Sequence, residues 1–297
     1  MVAINVKQKN ETREALRFRV GDVDVRVECD MQEVRDDFRA LYAGYGAPPD
    51  SNGDDVTVQV VPASQRRWRA PRYHVFSGLE QIGPDVRLNE ILPMVEWGLN
   101  YGVIARRGEF FQIHAAAMSL GDQGVIFPAD SGSGKTTLCA ALLVDGWRYL
   151  SDEFALIHPR TLRVHPYPKA LCVKHGAFEV LRQLGLPLVG GKHFVKGLKG
   201  QVGYVNPRNV RPDAVCEVCP VRFVVLPCHV AGAPARLLSM TREQAAYELL
   251  RNSPNRSAFG DQALRIAADL VAGAECFSLR SGAIEETRKL LRGLVEA

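Results

Sequence analysis

Several signals are missing from this chain of 297 residues. No apolar run reaches the roughly 18 residues that a membrane-spanning helix needs. The opening segment, MVAINVKQKNETREALRF, lacks the apolar block of a secretory leader, so the expectation is a cytoplasmic protein with no membrane partner. Charge of one sign is scarce: the formal net charge is +4, too little to imply nucleic acid. Cysteines number seven, an odd count without regular spacing, which fits reduced thiols better than a disulfide framework. Internal repeats and low-complexity tracts are absent.

What is present is ordinary for a globular protein, with 46% apolar and 24% charged residues. The length suffices for one large core or two modest ones. One local charge cluster, RRWRAPR over Arg66 to Arg72, has the composition of a polyanion or acidic-peptide contact, and equally of a solvated loop. Cys216, Cys219, Cys228 and His229 lie close together, but a zinc site wants a second spaced pair. Cys228 and His229 are adjacent at a strand end, where neighbouring side chains point to opposite faces, so plain thiols are expected.

The order of elements predicts an α/β protein with a β-rich N-terminal part over residues 1–85 and a catalytic α/β part over 86–297. LRFRVGDVDVRVEC alternates about Gly21-Asp22 and reads as a hairpin. Asp30 with Glu33 reads as a helix cap, followed by the stripe Val34, Phe38, Leu41 and Tyr42. VTVQVV is a strand, and LNEILPMVEWGLNYGVIA a helix burying Ile91, Leu92, Val95 and Leu99. EFFQIHAAAMSL is a strand. Beyond it come a helix around HGAFEVLRQLG, a Gly/Lys-rich segment from Gly190 to Gly203, and the strand VRFVVLP. Two helical segments are expected to close the chain, TREQAAYELLRNS and then Asp261 to Ala297.

The most informative stretch is GVIFPADSGSGKTTLCAALLVDGWRYLSDEFALI. Its ADSGSGKT, Ala129 to Thr136, matches the phosphate-loop pattern G-x-x-x-x-G-K-[ST] except for Ala129 at the first glycine. Gly132 and Gly134 allow positive φ, so that several N–H groups can converge on one phosphate. Asp130, Ser131, Ser133 and Thr137 complete the candidate loop contacts. Lys135 brings a positive charge to the β- and γ-phosphates, and Thr136 a hydroxyl to Mg²⁺. A strand precedes the loop and a helix follows, as such a site requires, and the helix dipole adds to it.

Asp152 and Glu153 interrupt the apolar run YLSDEFALI. Two adjacent acids in a buried strand are costly unless a cation or polarised hydroxyl offsets them. At the edge of a sheet they would instead be solvated. His114 in FQIHAAAM is polar in an apolar run, either a satisfied core histidine or a neighbour of the acids.

Taken together, these segments resemble the catalytic core of bacterial HPr kinase/phosphorylase. That family has a His-Gly or His-Ala strand, a G-D-S-G-x-G-K-S loop and a Gly-x-x-Leu-x-x-Asp-Asp strand. The chain is still more similar to the HPr-kinase-related kinases, among them relatives that tailor lasso peptides, in EWGLN, SGKTTLCAAL, GWRYLSDE and AGAPARL, at Glu96, Ser133, Gly146 and Ala231. The resemblance runs from about residue 15 to the C-terminus. It implies a phosphate-loop kinase core of the HPr kinase/phosphoenolpyruvate carboxykinase type, using ATP and Mg²⁺. It implies that Asp152 is the general base towards a serine or threonine hydroxyl, that Glu153 and Thr136 lie at the metal with Asp152, and that His114 contacts the catalytic acid. Lys174 and Lys199 match lysines that would hold phosphate or substrate. The second acid departs from the family's Asp-Asp, and the signature Leu-Glu-x-Arg-Gly-x-Gly has no counterpart, LKGQVGYVN standing nearby. A peptide or protein hydroxyl is therefore the expected acceptor, with a small-molecule hydroxyl or a non-catalytic nucleotide sensor as alternatives. A homo-oligomer is compatible with the resemblance.

Overall fold

The computed structural model describes residues 14–47, 53–63, 70–130 and 132–297. Ser131 and most of the arginine cluster, residues 66–69, lie outside them.

Strands β1 (Ala15–Val20) and β2 (Val23–Glu28) form the expected hairpin, with Gly21 at φ +62°. Helix α1 (Gln32–Leu41) connects β2 to the parallel strand β3 (Val56–Pro62), and β4 (Tyr73–Ser77) and β5 (Glu80–Gln81) extend the sheet antiparallel. Val34, Phe38, Leu41 and Tyr42 are buried as the stripe requires. The Asp30 cap is not made: Met31 is the cap residue and no side chain caps it. Arg35 ties down the helix start instead, its backbone N–H donating to Met31 O (3.1 Å) and its guanidinium to Cys29 O (2.9 Å).

Helix α2 (Ile91–Arg106) lies across this sheet. A Cβ at Gly102 would sit 2.4 Å from Val56 Cγ1, so only glycine lets the helix backbone come this close to β3. The same helix buries two polar residues, Glu96 and Asn100, and turns them towards the rest of the chain.

The rest of the chain runs β6 (Phe111–Leu120), β7 (Gln123–Pro128), α3 (Lys135–Val144), β8 (Arg148–Ser151), β9 (Phe154–Ile157), β10 (Arg163–His165), β11 (Leu171–Lys174), α4 (Phe178–Gln183), β12 (Phe194–Val195), β13 (Gln201–Val205) and α5 (Pro207–Val210). It ends with β14 (Cys219–His229), β15 (Arg236–Ser239), α6 (Arg242–Arg251), α7 (Arg256–Phe259), α8 (Asp261–Ala272), β16 (Glu275–Ser281) and α9 (Ile284–Glu296). The main sheet has the order β10-β9-β6-β7-β14-β16-β15, with β8 pairing β6 beyond β9 and β10 pairing β14 as well. Strands β7, β14 and β16 are parallel, so their carboxyl ends open on the same side. Helices α3 and α9 pack on one face, and α6 and α8 on the other. A small sheet, β11-β13-β12, stands beside α3, and β12 and the start of β13 come from the Gly/Lys-rich segment.

The long closing helix expected over Asp261 to Ala297 is two helices separated by β16. Helix α8 stops at Gly273, and Glu275–Ser281 fills the sheet position beside β14. Its buried residues, Cys276 and Leu279, are three apart, which imitates a helical stripe in sequence; pairing to β14 overrides the period.

Candidate active site

The site begins where β7 ends. The chain turns through the loop and enters α3 at Lys135, with Gly132 at φ +98° and Gly134 at φ +91°. Both angles belong to the left-handed region that side chains resist, and a Cβ at Gly134 would meet open space. Glycine is thus required here by backbone shape. Lys135 Nζ donates to the carbonyls of Ala129 (2.5 Å) and Asp130 (2.9 Å), which curls the loop around its own lysine. Burial lowers the Lys135 pKa, while Glu153 and Asp152 oppose that shift. The Asp130 carboxylate faces Arg251 of α6 at 3.1 Å.

The carboxylates come from a break in a strand. Strand β6 pairs first with β9 (His114↔Phe154) and then with β8 (Ala117↔Ser151), and Asp152-Glu153 bulge out between the two pairings. Ser151 Oγ holds the bend by accepting the N–H groups of Glu153 (3.1 Å) and Phe154 (3.0 Å). Asp152 is 5% exposed. It accepts a hydrogen bond from Tyr149 Oη at 2.6 Å, and the nearby Thr136 hydroxyl also favours its charged form. Burial, then the adjacent Glu153, push its pKa up to about 6. Glu153 moves the other way: burial would raise it, but Lys169 and then Lys196 hold it below the usual carboxylate value. One acid is thus poised near neutrality while its neighbour stays charged.

His114 is the fourth residue of β6 and the last to pair with β9, its N–H bonded to Asn252 O at 2.7 Å. Burial, then Lys135, lower its pKa, with Glu153 and Asp130 opposing. A neutral imidazole beside Glu153 is the result.

A cavity of about 260 Å³ joins these parts. Of the residues singled out from sequence, it gathers His114, Gly132, Gly134, Lys135, Thr136, Thr137, Asp152, Glu153, Lys174 and Lys199. Ser133 and Asp130 do not line it, and Ser131 lies outside the described residues. Two lysines were not singled out. Lys196 lines the same cavity, within the Gly/Lys-rich segment whose composition was noted without assigning it a role. Lys169, 3% exposed, is an electrostatic neighbour of both acids and binds Glu96 at 2.8 Å. A lysine inside the apolar run YPKALCV was the available signal.

The oxygens of Asp152, Glu153 and Thr136 are hard donors of the kind Mg²⁺ prefers. Among the described residues no group of three or more His, Cys, Asp or Glu forms a self-contained metal site. Mg²⁺ needs none, since it is usually held by one or two carboxylates together with substrate phosphates and water. The residues therefore fit this metal. Cys216 and Cys219 are buried and Cys228 exposed. No helix among the described residues is long and apolar enough to cross a membrane.

No family model and no curated protein matches the chain. Among solved structures, it is similar to the Hpr(Ser) kinase/phosphatase from Coxiella burnetii, at 12% identity and a TM-score of 0.30, over 62% of this chain and 95% of that one. Those values are too low to transfer residue roles. What the structure itself establishes is an α/β fold in which a strand, a glycine-rich loop and a helix meet a buried acid, a half-buried one and a histidine.

Proposed function

We propose that this protein is an ATP-dependent kinase that transfers the γ-phosphate to a hydroxyl, that of serine or threonine in a peptide or protein. The observation that carries the proposal is the single cavity shared by the glycine loop, Lys135, Thr136, the Asp152-Glu153 pair and His114. The sequence resemblance supports serine or threonine as acceptor. A small hydroxylated anion is the second reading, favoured by the cavity's modest 260 Å³ and by Lys174, Lys196 and Lys199 on its wall.

In this mechanism the loop N–H groups and Lys135 bind the phosphates and stabilise charge that develops on the transferring group. Mg²⁺, when bound at Thr136 and the two carboxylates, would neutralise charge on the β- and γ-phosphates. Asp152, with its pKa near 6, accepts the hydroxyl proton at a carboxylate oxygen; a base poised close to neutrality suits that task. Glu153 keeps its negative charge at the metal side. His114, kept neutral, orients the carboxylates without adding a competing cation. Lys174, Lys196 and Lys199 hold the acceptor or the departing phosphate.

Lys135→Ala tests the site as a whole. Loss of the lysine removes a charge-assisted contact to phosphate, so calorimetric affinity for ATP·Mg²⁺ should fall at least tenfold, roughly the worth of one such bond. Unchanged affinity would show that ATP binds elsewhere.

A further inference from the structure

Cys216 and Cys219 take no part in the site described above, yet the fold brings their sulfurs together. Ser119 of β6 stands opposite Gly124 of β7, and the side chains of such a cross-strand pair share one face of the sheet. The Ser119 hydroxyl donates to Cys216 Sγ at 3.0 Å. A Cβ at Gly124 would come within 2.8 Å of Cys219 Sγ and 2.4 Å of Pro220 O, so glycine there leaves room for the second thiol. Both sulfurs thus rest on one pair of residues whose Cβ positions lie about 5 Å apart.

The backbone around them is held on both sides. Tyr149 N–H donates to Ala214 O at 2.6 Å and Cys216 N–H to Tyr149 O at 2.9 Å, which fastens Cys216 to β8. Cys219 opens β14 opposite Val164 of β10. Between the cysteines, Val218 O accepts from the Arg163 guanidinium at 3.0 Å. The two thiols are buried, but Glu217 between them is exposed and Val218 half-exposed, so they lie close beneath the surface. Their electrostatics are unequal. The neighbouring Cys219, then the Ser119 hydroxyl and Arg148, lower the Cys216 pKa against the effect of burial, whereas Cys216 and then burial raise that of Cys219. Burial likewise pushes up Cys139 and Cys276. One thiol of the pair is set to ionise and the other to keep its proton.

We propose that Cys216 and Cys219 form a peroxide-reactive dithiol, with Cys216 the attacking thiol and Cys219 the resolving one. The Cys216 thiolate attacks one oxygen of hydrogen peroxide. An S–O bond forms, the O–O bond breaks, and the hydroxide that leaves takes up the proton Cys216 had released, giving water. Cys219 Sγ then attacks the sulfenic sulfur of Cys216. An S–S bond forms, the S–O bond breaks, and the hydroxyl departs with the Cys219 proton as a second water. Sulfur is oxidised, peroxide is reduced, and a dithiol reductant restores both thiols. Neither cysteine lines the carboxylate cavity, so the site stands independently of the nucleotide reading.

The test treats the full chain with hydrogen peroxide at pH 7, then denatures it, alkylates with iodoacetamide and digests with trypsin. Both cysteines lie between Arg211 and Arg222 with no lysine or arginine between, so one peptide carries the pair. That peptide should escape alkylation at both thiols together and regain both labels after reduction with dithiothreitol. The loss should run at least about tenfold faster than at Cys139 or Cys276, because an ordinary thiol is only a few per cent thiolate at pH 7. Ser119→Ala, which removes the donor to Cys216 and adds no bulk, should slow it severalfold. In Cys219→Ser the reaction should stop at the Cys216 sulfenic acid, captured by dimedone, and in Cys216→Ser the Cys219 thiol should stay reduced. Oxidation of the pair no faster than that of Cys139 and Cys276 overturns the proposal, as does a bond from either thiol to a different cysteine. Fast oxidation of Cys219 in Cys216→Ser overturns the division of roles. The wild-type time course decides the matter even where a variant fails to fold.

Discussion

Two sets of buried acids lie close together here in contrasting company. Glu96 on α2 is 2% exposed, accepts from Tyr42 Oη at 2.5 Å and pairs with Lys169 Nζ at 2.8 Å, and the same ammonium donates to the Glu96 carbonyl at 2.9 Å. Its charge is met in full by direct contact. Asp152 feels the adjacent acid Glu153 more strongly than the ammonium of Lys169, and its direct donor is the neutral hydroxyl of Tyr149. The first arrangement welds the N-terminal layer to the rest of the fold. The second leaves Asp152 buried beside a like charge with no direct ion pair among the described residues, a poor choice for stability and a fitting one for a group that takes up a proton. Lys169 stands between them, paired to Glu96 and acting at longer range on Glu153 and Asp152.

The comparison breaks most sharply at Asp152. Asp152→Asn keeps the shape and the acceptor oxygen but cannot take a proton, so transfer should fall about 10²–10⁴-fold while ADP affinity stays nearly constant. Glu153→Gln should show a smaller loss, partly relieved by raised Mg²⁺, because it removes charge at the metal rather than the base. Turnover and calorimetry on both variants decide the matter. Near-normal turnover in Asp152→Asn with an inactive Glu153→Gln would exchange the two roles.

Next in size is the pair that holds the layers together. Lys169→Met strands a buried carboxylate, and breaking one side of such a pair costs about 3–5 kcal/mol. Adding Glu96→Gln removes the stranded charge and keeps an acceptor for Tyr42, so the double variant should recover most of the loss. Urea unfolding of the single and double variants gives the coupling. A single variant within about 1 kcal/mol of wild type, the range of exposed pairs, would mean that water reaches Glu96 and that the pair is no weld.

Much of this contrast was legible in sequence, unevenly. The strand–loop–helix turn could be read because its requirements are local: positive φ at Gly132 and Gly134, then a lysine and a threonine at a helix start. Asp152 and Glu153 stood out because acids in an apolar run need a reason. Lys169 and Glu96 did not, because a buried ion pair is created by two segments 73 residues apart, and neither alone shows its partner. Strand β16 was missed for a similar cause. Cys276 and Leu279 fit a helix period equally well, and only the slot beside β14 decides between the two. The Asp30 cap failed because Arg35, reaching back to Cys29, offered the helix start a different anchor. Local chemistry is visible in a string of residues; long-range pairing is visible only once the chain has folded.

The smallest expected effect is the most pointed, because it concerns stability at the residue whose loss should abolish transfer. Asp152 has a folded pKa of about 6 against an ordinary value of 3.8. Between those two values the folded protein binds more protons than the unfolded chain, so stability falls as pH rises from about 4 to about 6 and is level above that. The wild-type protein therefore carries a penalty at pH 7, on the order of 1–3 kcal/mol since each pKa unit is worth about 1.4 kcal/mol. Asp152→Asn removes the charge and keeps an acceptor for the Tyr149 hydroxyl, so it should melt higher than wild type at pH 7. That advantage should shrink to nothing near pH 4, where the wild-type carboxyl is protonated and the amide only copies it. Melting curves at both pH values test this directly. An Asn variant less stable at pH 7 would show that the folded protein neutralises the Asp152 charge by itself, as it does for Glu96, and the contrast between the two acids would disappear.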